Sequence, residues 1–287
     1  RQQEFSRIYQ ESIDELTSAI SGMADKERPK ERRVGKGRTL RAEIQEWQKG
    51  DLKLRLFTAD QRLVRVEVAK EEYASSEWMD RAFLEESERE RLARLKESVT
   101  KSESGVVTLR GIEPIPQGYR PYCGLNTLAM AARHFGLHLD EDWLAAAGGF
   151  QNTGRAAGSN MVKLYSAVAA EAGLSMDRSP EFDELVVRRA LESGRPVIVW
   201  RRFSWERNRW HDQVARNGSE LPDPLSVEEK SKWPGEAAPL HASILTGFDP
   251  QKREVFFLES WAGKDEPRRM RFEEMAATAY LCFVFDD

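Results

Sequence analysis

The chain has 287 residues, 32% of them charged, a formal net charge of −4 and only two cysteines, Cys123 and Cys282. That length buries a core without staples and accommodates one large or two smaller domains. The near balance of charge excludes a global case for nucleic acid, two cysteines exclude a disulfide framework, and no stretch approaches the roughly 20 apolar residues that cross a bilayer, so a soluble protein is expected. Residues 3–23 carry Phe5, Ile8, Tyr9, Leu16, Ala19, Ile20 and Met23 at intervals of three and four, which predicts an amphipathic packing helix. Lys26 to Arg38 brings seven basic residues, but Glu27 and Glu31 interleave them and Pro29, Gly35 and Gly37 break them, so a solvated linker is expected. From Thr39 to Ala69 alternating runs around Leu40–Ile44, Leu52–Leu56 and Leu63–Val68, parted by turns at 49–51 and 58–61, predict strands that close as a small antiparallel β-barrel. Ser76 is the expected N-cap of a charged helix to about Lys96, with Trp78, Ala82, Phe83, Leu92 and Leu95 on one side. The stretch 98–105 is the expected domain boundary. The division is therefore 1–34 helix and basic linker, 35–75 barrel, 76–105 connecting helix and linker, and 106–287 a larger mixed domain.

In that last region Pro121 precedes a helical run, Leu125, Leu128, Ala129, Ala132 and Phe135, that Gly136 ends. Short helices follow at 140–147, from Ser159 or Asn160 to Gly173, and at 182–193, with a loop at 148–158. Strands are predicted at 195–200, 240–249, 254–261 and 280–285. The last contains Cys282, read as a structural thiol.

Cys123 sits at the N-terminus of its helix, where unpaired N–H groups and the positive end of the dipole favour a thiolate. The bland alternative is a small packing residue. Gln117 stands six positions earlier, and its amide can pair with the Cys123 N–H to hold a developing oxyanion. This pattern, Gln, then Cys followed by Gly with a helix starting there, resembles the papain-like cysteine peptidases, above all the bacterial branch that removes double-glycine leaders from bacteriocins. The resemblance implies an α+β papain-like fold and, downstream, a His at the start of a strand with an acid or amide on the next.

Four histidines are candidates for the base. His134 lies eleven residues along the same helix, about 16 Å away, and His138 lies beyond it. His211 is a competitor in an Arg- and Trp-rich segment expected to be irregular. His241 opens the strand Leu240 to Asp249, and the following hairpin sets Glu259 on the neighbouring strand, where its carboxylate can orient the imidazole. The family has Asn or Asp there, often followed by Ser-Trp-Gly, whereas this chain reads Glu259-Ser260-Trp261-Ala262-Gly263. Taken singly, His241 reads equally as a core histidine and Glu259 as a surface carboxylate.

The expected catalytic set is therefore Cys123, His241, Glu259 and Gln117, acting by acyl transfer on a peptide or protein substrate, with no cofactor and no metal. A transglutaminase or amidase, and a non-catalytic papain-like binding module, remain as alternatives. Residues 201–239, with Trp205, Trp210 and Trp233, are expected to form a lid or binding loop beside the cleft. The leading barrel is similar to SH3-like barrels of adaptors and bacterial exported proteins, which implies a protein or cell-envelope partner. With a chain that begins at Arg1, it leads to the expectation of export.

Overall fold

The period of the first segment builds α1 (Gln2–Met23), which turns Ile13, Leu16 and Ile20 toward Trp47, Leu54 and Leu56. A computed structural model describes residues 2–59, 62–70, 86–150, 158–261 and 266–287, in two units that are taken separately below. One comprises Arg1–Arg81 with His138–Glu171, the other Ala82–Leu137 with Ala172–Asp287.

In the first unit, β1 (Lys30–Val34), β2 (Ala42–Lys49), β3 (Leu52–Ala59) and β4 (Leu63–Lys70) form an antiparallel sheet in that order. The basic run expected as a linker contains β1, whose register pairs Lys30 with Glu46 and Val34 with Ala42. A strand of mostly charged residues is stable at a sheet edge, where it stays hydrated and resists pairing with other chains. The strands make an open meander; among the described residues β1 and β4 do not pair, so the closure of a barrel is not seen.

The other face of this sheet, bearing Phe57 and Arg65, is covered by α4 (Glu141–Ala147) and its approach. Phe57 meets Trp143 edge-on at 4.9 Å between centroids, Arg65 pairs with Asp140, and Arg62 donates to the Ala147 carbonyl at 2.9 Å. Asp140 caps α4 as expected. The helix α5 (Gly158–Glu171) includes Ser159 and Asn160, expected as its cap, and its Glu171 accepts from the Lys36 N–H at 2.7 Å. Residues 138–171 thus group with the N-terminal sheet, not with 106–137 and 172–287 as the expected division has it.

The second unit is described from residue 86. The expected cap Ser76 and its partners Trp78, Ala82 and Phe83 lie outside the described residues. The helix α2 (Glu88–Glu97) starts from Ser87, whose side chain and that of Glu90 form a reciprocal capping box. The stretch expected as a boundary is a hairpin instead: β5 (Val99–Lys101) pairs with β6 (Val107–Leu109) inside this unit.

The main sheet runs β11-β10-β9-β8-β12-β7, entirely antiparallel: β7 (Ser175–Ser179), β8 (Val197–Arg202), β9 (Leu240–Asp249), β10 (Glu254–Leu258), β11 (Arg268–Arg271) and β12 (Ala279–Asp286). Its central strands β9 and β10 are buried along nearly their whole length. The helix α3 (Cys123–His134) packs on β9 and β8, and α6 (Glu184–Glu192) packs on β9 and β12. The strand β6 pairs antiparallel with β9 and lies so close at Gly247 that any side chain there would run into the Val107 carbonyl. The segment expected to be irregular holds α7 (Trp205–Asn217), which packs on β11, and the single turn α8 (Val227–Lys230). After β11 comes α9 (Phe272–Thr278). The molecule is α+β, consistent with the papain-like architecture.

Candidate active site

Cys123 is the first residue of α3, and the preceding Tyr122 offers no side-chain cap. No side chain therefore competes for the first N–H groups of the helix, and that of Gly124 turns to the sulfur. The thiol is half-buried against the start of β9. Burial alone would raise its pKa, but hydrogen bonding to His241, the charge of that ring and the N–H groups of Ala242 and Gly124 bring it below the ordinary thiol value.

His241 faces Arg201 across the β8–β9 ladder. Its Nε2 lies 2.6 Å from Glu259 Oε2, which leaves Nδ1 for the Cys123 thiol. The ring is only 8% exposed. Trp261 stacks on it at 4.8 Å with a 19° tilt, and Phe203 packs from another side at 4.8 Å. Such burial would lower the pKa, yet the Glu259 carboxylate and the hydrogen bonds to Cys123 and Glu259 carry it up to about 9. The two directions agree, both favouring a proton on the imidazole and charge on the sulfur.

Glu259 lies just past the end of β10 and is 0% exposed. Its second oxygen, Oε1, accepts from Arg201 Nη2 at 2.8 Å and from Ser243 Oγ at 3.0 Å. Arg201 Nε donates to the same hydroxyl at 2.9 Å, closing a triangle. Burial would raise this carboxyl, but His241, Arg201 and Arg268 hold it down at about 2. The added methylene of Glu is thus absorbed by a second set of partners.

Gln117 is tied to the residue after Glu259. Its N–H donates to the Ser260 carbonyl at 2.9 Å, and Ser260 Oγ donates to Gln117 Oε1 at 2.6 Å. Its Nε2 donates to the Arg120 carbonyl at 2.8 Å. One amide hydrogen remains, and no hydrogen bond joins Gln117 to Cys123 among the described residues. Three expected residues therefore meet directly, and the fourth is tethered to the acid's neighbour.

A family model described as Peptidase_C39 like family matches residues 110–284, more than half of the chain. The chain belongs to that family. Among solved structures it is similar to the peptidase domain of Streptococcus ComA, a bifunctional ABC transporter of a quorum-sensing pathway. That match is at 14% identity and a TM-score of 0.39, over 61% of this chain and 98% of that one. It is also similar to a Bacillus anthracis protein described as a C39-like peptidase, at 14% identity and a TM-score of 0.39, over 62% of this chain and 97% of that one. None of the curated proteins compared matches. The family makes the chain, at that level, a cysteine peptidase.

In this C39-like chain the other histidines are occupied elsewhere. His134 Nε2 meets the Gly194 carbonyl at 2.8 Å, and burial lowers its pKa. His211 is rigidly held on α7, contrary to the expectation of an irregular segment: it is wholly buried and 3.2 Å from Glu274 Oε2. Of residues 201–239, Arg201 belongs to β8, and Phe203 and Trp205 stand by the site, Trp205 being 61% exposed over Trp261 at 4.9 Å. Cys282 is buried, its thiol pushed up to about 12 by desolvation. Among the described residues no cluster of three His, Cys, Asp or Glu is placed to hold a metal.

Arg201, Ser243 and Phe203 escape sequence reasoning, and Ser260 enters it only as part of the family motif. One signal for Arg201 was present: a basic residue continuing the apolar run Val197–Trp200 implies a buried counter-charge.

Proposed function

We propose that this protein hydrolyses a peptide amide bond through a thioester on Cys123, with His241 as acid and base, Glu259 as its orienting carboxylate and Gln117 as an oxyanion donor. The observation that carries the reading is the relay: one imidazole nitrogen on a buried carboxylate at 2.6 Å, the other on a thiol at a helix N-terminus. The thiolate attacks the carbonyl carbon, and the oxyanion takes hydrogen bonds from the Cys123 N–H and the free hydrogen of Gln117 Nε2. His241 passes its proton to the leaving amine. Water, deprotonated by the same ring, then cleaves the thioester.

The test is cleavage profiling against a diverse peptide library, read by mass spectrometry, with Cys123→Ala as control. The expected result is peptide fragments from the wild type, a covalent adduct with a thiol-reactive peptide analogue, and neither from the variant, whose fold is unchanged. Turnover retained in Cys123→Ala overturns the assignment. Ammonia released from glutamine side chains, with no peptide fragments, transfers the same residues to an amidase.

A further inference from the structure

A glutamate that orients a catalytic imidazole carries one more rotatable bond than an aspartate, and here it does so with no exposure to water. Left to itself, such a carboxylate would swing or take a proton. Neither occurs here, because Oε1 is pinned by Arg201 Nη2 at 2.8 Å and Ser243 Oγ at 3.0 Å, so only Oε2 is left for His241. Arg201 is held in turn. Its Nε donates to Ser243, its guanidinium lies 5.1 Å from the Phe257 ring centroid and 5.7 Å from that of Phe203, and its strand is in register with His241.

We propose that Arg201, seconded by Ser243, is the positioning residue that lets a glutamate serve as the third member of this relay. The inference rests on the reading of Cys123 and His241 as nucleophile and base. The charged and titratable groups around Glu259 are His241 on β9, Arg201 on β8 and Arg268 on β11, with Asp212 and His211 of α7 and Glu274 of α9 behind them. Arg268 faces Asp212 at 3.7 Å, so Arg201 is the cation that hydrogen-bonds to the carboxylate. Without it the buried acid takes a proton, the imidazolium loses its counter-charge and the proton returns to sulfur.

The experiment reads the sulfur, so it does not need a substrate. The alkylation rate of Cys123 by iodoacetamide near pH 6 is measured in the wild type, Arg201→Met, Arg201→Lys, Ser243→Ala, Glu259→Gln and the doubles with Glu259→Gln, each checked for folding by circular dichroism. Arg201→Met is expected to slow alkylation roughly tenfold or more, and Lys to recover part of it. In the Glu259→Gln background Arg201→Met should add nothing, because its effect passes through that carboxylate. An unchanged or faster rate in Arg201→Met, or an equal fall in both backgrounds, overturns the proposal. If Arg201→Met does not fold, Ser243→Ala decides: a fall of about threefold that vanishes in the Glu259→Gln background supports it, and no fall overturns it. A wild type that cleaves no peptide yet shows this coupling would sink the peptidase reading alone.

Discussion

Ser260 shows how closely a proposed oxyanion donor depends on its support. Its hydroxyl and carbonyl both bind Gln117, and it directly follows the carboxylate that orients His241. Ser260→Ala is expected to lower kcat by about tenfold, less than the loss of an oxyanion donor itself, with KM little changed. Steady-state kinetics on a cleaved library peptide check this, and an unchanged kcat would mean Gln117 is held well enough without it. The pH profile follows from the same atoms. The thiolate forms below the ordinary thiol range and the imidazolium lasts to about 9, so cleavage should hold between those limits and fall above about 9, where no proton remains for the leaving amine. Cys123, His241 and Glu259 were legible because each stands at or beside an end of an element, a place that the chain's periodicity marks. Arg201 and Ser243 were not, because their meeting depends on strand register, which a single sequence does not display.

Elements tell a similar story through α7. Ser204 before it and Gly218 after it, with φ 64°, are ordinary start and stop signals, yet its face is Arg- and His-rich where an apolar stripe is expected. The reason lies in its anchor: Arg207 donates to Glu274 and Glu229, and His211 meets the same Glu274. Glu274 is only 1% exposed, so Glu274→Ala leaves a buried guanidinium half-compensated and should cost about 3–5 kcal/mol in urea unfolding. A loss under about 1 kcal/mol would show that α7 is held by other contacts. This anchoring also changes how the insertion acts: at its start Phe203 packs on the imidazole and Trp205 lies over Trp261, the ring that stacks on that imidazole. Trp205→Ala is accordingly expected to raise KM a few-fold while stability moves by less than about 0.5 kcal/mol. The strand inside the basic run at 26–38 departs from the expected linker for a related reason. Edge strands carry charge for protection, and charge without apolar alternation reads as linker.

For the whole molecule, the buried carboxylates set the acid limit. Glu259 and Glu274 both titrate at about 2 in the fold against an ordinary 4.5, so the stability they supply is present above 4.5 and lost as pH falls toward 2. His241, raised from 6.5 to about 9, contributes fully below 6.5 and ceases to as pH rises through 9. Tm should therefore be highest between these limits, and a Tm that stays flat from about pH 5 to pH 3 would contradict the buried pairs. The strands around His241 were readable from periodicity and the α+β class from the family resemblance, whereas the grouping of residues 138–171 with the N-terminal sheet was not, because nothing in a helical repeat names the surface it will cover. That grouping bears on synthesis. The sheet of residues 30–70 waits for Trp143 and Glu171 to leave the ribosome, so the helix that Cys123 opens emerges while the earlier sheet still lacks one of its coverings. A nascent chain stalled near residue 130 should thus present Phe57 to chaperones, and one stalled well past 171 should not.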